Sequence, residues 1–149
     1  MKTLLTLLCI LSLVSCQRNK PQTHIVKDTS AIAQSSRVCF QRLEGSSKQD
    51  TATVSFLIQN NEVTGIFNTI PHEKDSRTGT IKGQKNGDII KVLWSFMQEG
   101  IRDTLSVEFK LSSNKLYQRS FDIDEKTGRQ KLGKDSKFSI EYQPINCEY

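Results

Sequence analysis

The feature that most constrains the fold of this chain is a two-residue alternation of apolar and polar side chains, which starts at Val38. Turn-forming residues interrupt the alternation about every 10–12 positions. Because successive side chains of a strand point to opposite faces, each segment can bury one face and expose the other to water. The pattern predicts an all-β domain made of short antiparallel strands.

The predicted hairpins can be tested for register, because residues paired across a tight turn must lie on the same face of the sheet. Turns are predicted at Asn60-Asn61, at Asn86-Gly87 and at Glu99-Gly100. In every hairpin the resulting pairs place apolar residues or glycine on one face. The predicted pairs are Val54 with Phe67, Phe56 with Gly65 and Ile58 with Val63; Ile90 with Gly83, Val92 with Ile81 and Trp94 with Gly79; and Trp94 with Leu105, Val92 with Val107 and Ile90 with Phe109.

Glycines opposite large aromatic rings indicate a strongly coiled sheet. In the predicted register Gly65 lies opposite Phe56, and Gly79 lies opposite Trp94. Glycine in a strand relieves curvature and lets a ring cover the backbone. With about eight strands, the fold predicted for residues 38–149 is a single antiparallel up-and-down barrel of the calycin or lipocalin type.

The C-terminal part of the predicted barrel has a less regular pattern. Residues 116–123 are predicted as one strand, with Tyr117, Phe121 and Ile123 facing inward if the preceding loop carries a bulge. Residues 124–137 are polar and contain two glycines, which predicts a loop or a short irregular hairpin.

Two cysteines, Cys39 and Cys147, lie near the two ends of the predicted domain. In an exported protein such a pair forms a disulfide, because disulfides persist in oxidising compartments. An up-and-down barrel brings its first and last strands together, so the disulfide and barrel closure support each other. Two buried free thiols and a reactive cysteine are the alternatives, although no neighbouring group indicates an activated thiol.

The N-terminus has the layout of an export signal, with a basic residue, an apolar run from Leu4 to Val14 and a small residue before Cys16. The run is too short to cross a bilayer, which takes about 20 residues. The segment Leu13-Val14-Ser15-Cys16 resembles the lipobox of bacterial lipoproteins, whose cysteine is acylated and becomes the mature N-terminus. The resemblance implies a lipoprotein signal peptide over residues 1–15, and lipidation of Cys16.

Residues 16–37 are predicted to be the lipidated cysteine and a flexible tether, because they are polar and contain few apolar side chains. The residue after Cys16 is not aspartate, which by the sorting habits of such lipoproteins indicates the outer membrane. Residues 17–20 lack the acidic run of a Bacteroidota surface-export signal, which favours the side that faces the periplasm. The whole chain carries a net charge of +5, and removal of Lys2 with the signal leaves +4. Basic and acidic residues are interspersed, so no nucleic-acid partner is predicted.

A wider resemblance rests on several segments within residues 38–147. The chain resembles a group of small flavobacterial (Bacteroidota) lipoproteins to which no activity is assigned. The resemblance implies the fold and the location and brings no function. The segments that carry it are Cys39-Phe40, Glu62-Val63-Thr64-Gly65, Glu73–Gly83, Gly87-Asp88, Trp94-Ser95-Phe96, Glu99-Gly100, Val107-Glu108-Phe109-Lys110 and the terminal Cys147.

Two groups of residues are candidate binding elements. The first is the polar loop with His72, Glu73, Asp75 and Arg77, which is predicted either to line the rim of a barrel mouth or to be a solvated turn. A single histidine without a second one nearby does not predict a metal site. The second group is predicted either to line an apolar pocket or to fill the core. Its members are Phe56, Phe67, Ile81, Trp94, Val107 and Phe109.

No catalytic motif and no cofactor-binding motif is present, so neither an enzymatic activity nor a cofactor is predicted. The leading prediction is non-enzymatic binding of a small or lipid-like molecule by a monomeric, membrane-anchored barrel in the cell envelope. The alternative is a protein-binding envelope factor that resembles the lysozyme inhibitors among small bacterial lipoproteins. The positive net charge argues against a cationic target such as lysozyme, because like charges slow the encounter.

The predicted anchor can be tested by substitution. Cys16→Ser removes the thiol that acylation requires, so we expect the full chain to stop incorporating labelled palmitate in growing cells. Cys9→Ser lies inside the predicted signal peptide and serves as the matched control, which should label normally. Equal labelling of the two variants contradicts lipidation at Cys16.

Overall fold

The computed structural model describes residues 35–147 and contains ten β-strands. None of these residues forms a helix long and apolar enough to cross a membrane. The predicted signal peptide, the lipidation site Cys16 and most of the predicted tether lie outside the described residues. The strands are β1 (Ser35–Glu44), β2 (Asp50–Gln59), β3 (Glu62–Ile70), β4 (Arg77–Asn86), β5 (Ile89–Gln98), β6 (Ile101–Leu111), β7 (Leu116–Arg119), β8 (Phe121–Ile123), β9 (Gln130–Leu132) and β10 (Phe138–Ile145).

Eight of the strands form a closed antiparallel barrel in the order β1-β10-β7-β6-β5-β4-β3-β2. All neighbours except β1–β10 and β7–β10 are consecutive along the chain, which is the up-and-down topology. β8 and β9 pair with each other outside the barrel. The prediction of an all-β, eight-stranded up-and-down barrel is confirmed, and β1 begins at Ser35, within the segment assigned to the tether.

The predicted registers of two hairpins are confirmed. β2 pairs with β3 through Val54–Phe67, and β5 pairs with β6 through Trp94–Leu105. The predicted β4–β5 register is wrong by two residues, because Trp94 pairs with Ile81. The central residues of that turn are Gly87 and Asp88, since Asn86 pairs with Ile89.

A shift of two residues preserves the face on which each side chain lies, so the inward set is unchanged, but the partners differ. Gly79 lies opposite Phe96 and not opposite Trp94. A Cβ built on Gly79 would collide with the carbonyl oxygen of Ser95, and one on Gly65 with that of Ser55. The barrel therefore needs glycine at both positions for the close approach of neighbouring strands.

The strand predicted over residues 116–123 is interrupted. β7 ends at Arg119, and Phe121 begins β8 outside the barrel. Leu116 and Gln118 are the inward residues of β7, whereas Tyr117 pairs with Lys110 on the outer face and Ile123 is 57% exposed. The inward placement predicted for Tyr117 and Ile123 is wrong, because Leu116 pairs directly with Leu111 and leaves no bulge between β6 and β7.

The interior of the barrel is filled by aromatic and branched side chains. The ring of Phe109 is central, and it packs edge-to-face against Phe56 at 5.4 Å, Phe67 at 5.6 Å and Tyr142 at 6.4 Å between centroids. Such contacts add to the stabilisation from apolar burial. The buried core comprises Phe40, Ala52, Val54, Phe56, Ile58, Val63, Phe67, Ile81, Ile90, Val92, Trp94, Phe96, Val107, Phe109, Leu116 and Tyr142.

The seam between β1 and β10 closes the barrel and is short. Only Cys39–Ile145, Phe40–Pro144 and Gln41–Gln143 are paired across it. The Cys39–Cys147 disulfide, predicted from the sequence, is confirmed next to this seam, with the Cα atoms 5.3 Å apart. The disulfide covalently joins β1 to the segment directly after β10, beside a ladder of only three residue pairs.

Removal of the disulfide should destabilise the barrel strongly. The bond closes a loop with a sequence separation of 108 residues, and a loop of that length contributes about 5 kcal/mol through the lost entropy of the unfolded chain. We expect the Cys39→Ser/Cys147→Ser variant of the full chain to lose about this much unfolding free energy in urea denaturation. The reduced wild-type protein is the control and should match the variant. Equal stability of oxidised wild type and variant contradicts this role.

Candidate functional site

The two ends of the barrel differ in the length of their connections. At one end, two-residue turns join β2 to β3 and β4 to β5, and the disulfide lies there. At the opposite end, residues 71–76 join β3 to β4, and residues 120–137 form an excursion between β7 and β10 that contains the β8–β9 hairpin. We call this end the mouth, and the excursion 120–137 the arm.

A cavity of about 600 Å³ opens at the mouth. Its floor contains Phe67, Trp94 and Tyr142, which also belong to the buried core. The Phe67 and Trp94 rings lie 4.4 Å apart between centroids, and the Trp94 indole Nε1 donates a hydrogen bond to the Phe67 carbonyl oxygen at 2.9 Å. The remaining lining residues are Arg42, Thr69, Pro71, Glu73, Lys74, Asp75, Arg77, Gln98, Gln118, Phe121, Gln130 and Ile140.

Polar side chains enter the barrel interior on one side of the cavity. Gln118 is only 4% exposed, and its Oε1 accepts a hydrogen bond from the Tyr142 hydroxyl at 2.6 Å. The Arg42 guanidinium lies over the Tyr142 ring, 5.6 Å from the centroid, and pairs with Glu44. The Arg42 Nε is buried without a hydrogen-bond partner among the described residues. Burial raises the pKa of Tyr142 to about 12, against the opposing effect of the Arg42 charge.

A second arginine, Arg77, occupies the β4 side of the mouth. Its Nε donates to Gln98 Oε1 at 2.7 Å, and its Nη1 donates to Gln130 Oε1 at 2.6 Å. Its guanidinium also lies 5.2 Å from the centroid of the Phe96 ring. These contacts from β5 and from the arm hold Arg77 in a defined position at the edge of the cavity, where a cation is stabilised by the ring face.

The base of the arm is fixed to the outer wall of the barrel. Arg119 donates from Nη2 to the Gly133 carbonyl at 2.7 Å and from Nε to the Ser136 carbonyl at 3.0 Å. Its Nη1 donates to Glu108 Oε2 at 3.0 Å. Burial alone would raise the pKa of Glu108, but hydrogen bonds from Arg119 and Lys91 hold it below its usual value. One arginine thus attaches the arm to β6.

The distal part of the arm reaches across the mouth. Arg129 Nη2 donates to Asp103 Oδ1 of β6 at 2.5 Å, and this hydrogen bond lowers the pKa of Asp103. Inside the arm, hydrogen bonds from Lys131 and Thr127 lower the pKa of Asp124 to about 2. Because Gln130 contacts Arg77, the arm forms part of the cavity wall between β4 and β7.

The structure separates the residues of the predicted rim. Glu73, Asp75 and Arg77 line the mouth cavity. His72 does not line this cavity. Its side chain is exposed, with Nδ1 3.8 Å from Glu73 Oε1, and it lies beside a smaller depression of about 230 Å³. No three His, Cys, Asp or Glu side chains within residues 35–147 are close enough together to hold a metal ion.

The predicted inward set is also divided. Phe67 and Trp94 form part of the cavity floor. Phe56, Ile81, Val107 and Phe109 are at most 2% exposed and lie in the core, away from the cavity.

The sequence analysis missed ten of the fifteen lining residues, and four of these, Arg42, Gln118, Gln130 and Tyr142, are among those that make the polar contacts described above. Arg42 follows Phe40 by two positions and Gln118 follows Leu116 by two, so each occupies an inward position of its strand. A polar residue at an inward position of an apolar strand was the available signal. Tyr142 lies in β10, and the partner of its hydroxyl leaves no local sequence pattern. Gln130 carries no such signal, because it reaches the cavity through the arm.

A second cavity of about 640 Å³ lies at the disulfide end, between Arg37, Leu111 and Asn146. The described residues begin and end at this end of the barrel, so the shape of this second cavity is defined by residues 35–147 alone. The mouth cavity is enclosed entirely by described strands and loops, and it contains the buried polar groups. We therefore take the mouth as the candidate site.

Comparison of the chain with protein-family models, with curated proteins and with solved structures gives no match. The resemblance to flavobacterial lipoproteins therefore stays a prediction.

The raised pKa of Tyr142 makes stability depend on pH. A neutral hydroxyl is favoured in the folded state, so its contribution is complete below the ordinary tyrosine pKa of 10 and is lost as the pH rises toward 12. We expect unfolding free energy to fall by about 3 kcal/mol more across that interval in wild type than in Tyr142→Phe. Tyr117→Phe, on the outer face, is the control in urea denaturation and should follow wild type. Equal slopes for wild type and Tyr142→Phe contradict the shift.

Proposed function

We propose that this protein is a lipid-anchored envelope protein that binds a small molecule, without catalysis, in the mouth cavity of its barrel. The observation that carries the proposal is a cavity of ligand size with an aromatic floor and convergent polar side chains. Ligand sites have volumes of about 300–1,000 Å³ and combine apolar walls with a few placed polar groups. At this end of the closed barrel, the β3–β4 loop and the arm form part of the cavity wall.

The filled core limits the kind of ligand. Phe56 and Phe109 are fully buried beneath the aromatic floor, so an extended acyl chain has no space to pass along the barrel axis. A bound molecule must therefore stay within the mouth. This favours a compact ligand with an apolar part over a long lipid.

The cellular location rests on the sequence. The lipobox-like segment ending at Cys16 supports a lipid anchor, and the residue that follows it supports the outer membrane. The absence of an acidic run in residues 17–20 supports the side that faces the periplasm. Two or more acyl chains give stable membrane attachment. We also propose that the barrel is a monomer.

The protein-binding alternative rests on the outer wall. Ile66 and Leu93 project from β3 and β5 and are about half exposed. Single apolar side chains are common on protein surfaces, so the mouth cavity carries more weight. The alternative is an outcome of the experiment below.

The proposal is tested by native mass spectrometry of the full chain purified from its own envelope in mild detergent. We expect a co-purifying compound that is released on unfolding. Thr69 lines the cavity, so Thr69→Phe should fill part of it and abolish co-purification. Thr104→Phe, on the exposed outer face of β6, is the matched control and should retain the compound. An apo mass for wild type, or retention by Thr69→Phe, contradicts the proposal and favours a protein partner.

A further inference from the structure

The polar groups at the mouth are unbalanced, with more donors than acceptors. Gln118 is 96% buried and uses its Oε1 for the Tyr142 hydroxyl, while its Nε2 donates no hydrogen bond within the described residues. The Arg42 Nε is buried and lacks an acceptor in the same part of the chain. Both side chains line the same cavity. Buried polar groups are normally hydrogen-bonded, so the Arg42 Nε without a partner, in the cavity that Gln118 also lines, points to a missing acceptor.

We propose that the missing acceptor is the carboxylate of a compact organic acid, bound with its oxygens toward Arg42 and Gln118 and its apolar body against the partly buried apolar side chains of the cavity lining. This inference rests on the proposed function and specifies its ligand class. Arginine forms short, charge-assisted hydrogen bonds with carboxylates, and a planar two-oxygen group can use two of its donors at once.

The burial of the charged groups, and not their sum, favours an anion at the inner side of the cavity. Its lining contains Arg42, Lys74 and Arg77 against Glu73 and Asp75. Glu44, outside the lining and 54% exposed, pairs with Arg42 and balances the remaining positive charge. The two arginines are half-buried, whereas the two carboxylates are exposed at the lip. An entering anion therefore meets the acidic groups in water, where they are screened, and the arginines in a drier environment, where attraction is stronger.

The apolar part of the lining specifies the rest of the ligand. The rings of Phe67, Trp94 and Tyr142 line the cavity but are at most 2% exposed, whereas Phe121 and Ile140 in the same lining are only partly buried. An aromatic or branched apolar group can contact Phe121 and Ile140 while the carboxylate reaches Arg42. The filled core prevents deeper insertion, so the acid must be compact.

The structure supplies its own reporter for the experiment. Trp94 is the one tryptophan of the chain and lies in the cavity floor. We would titrate the full chain in nonionic detergent with phenylbutyrate and follow tryptophan fluorescence. Phenylbutyramide has the same apolar body without the charge, and inorganic phosphate has the charge without the apolar body. We expect saturable binding of phenylbutyrate that is at least about tenfold tighter than that of either comparison compound.

Two substitutions locate the carboxylate. Arg42→Gln should weaken phenylbutyrate binding at least about tenfold and leave phenylbutyramide binding unchanged. Gln118→Glu places a negative charge beside the bound group and should weaken it similarly. Arg102→Gln is the matched control, because Arg102 is an exposed arginine on β6 at the same end of the barrel. It should bind as wild type does.

The results that would contradict the carboxylate inference differ from those that would contradict the proposed function. Equal affinity for phenylbutyrate and its amide, tighter binding of phosphate, or no response to phenylbutyrate overturns the carboxylate inference. An effect of Arg102→Gln equal to that of Arg42→Gln overturns it as well. A co-purified compound without a carboxylate would overturn the inference and leave small-molecule binding in place, whereas an apo protein contradicts the proposed function itself.

Discussion

Closure of the sheet at eight strands is the constraint on which the rest of the structure depends. A barrel of this size has an interior just wide enough to be filled by side chains. Phe109 occupies its centre and contacts Phe56, Phe67 and Tyr142. Gly65 and Gly79 allow neighbouring strands to approach where a Cβ would collide with the adjacent backbone. Because the centre is full, space for a ligand exists only where the strands end.

The mouth is built from exceptions to the apolar interior. Arg42, Arg77 and Gln118 occupy inward positions that an ordinary core would give to leucine or valine. Each is partly compensated, by the faces of Tyr142 and Phe96 or by a hydrogen bond, so the fold tolerates them. The compensation is incomplete on the Arg42 side. A fully satisfied polar network would leave no such donor within the described residues.

The barrel could be predicted from the sequence because closure, alternation and hairpin turns are local properties that constrain one another. The β4–β5 register failed because Asn86-Gly87-Asp88 offers two adjacent turns, and the periodicity of two cannot distinguish pairings that differ by two residues. A loop or a short irregular hairpin was predicted for residues 124–137, but the position of the arm at the mouth could not be predicted, since its contacts are tertiary. The contact between Arg77 and Gln130 joins residues 53 positions apart and leaves no local pattern. The sequence predicted two of the aromatic residues of the cavity floor, Phe67 and Trp94, but it did not predict how deep the cavity is.

The position of the disulfide also has a mechanical meaning. A pull on the chain from its N-terminal side acts first on β1 at Ser35, and only three residue pairs join β1 to β10. Cys39 lies in β1, so the covalent bond to Cys147 transfers part of this load directly to the C-terminal side of the seam. The disulfide therefore keeps β1 and the C-terminal segment together although few hydrogen-bonded pairs join them. Such a load falls at the end of the barrel opposite the mouth.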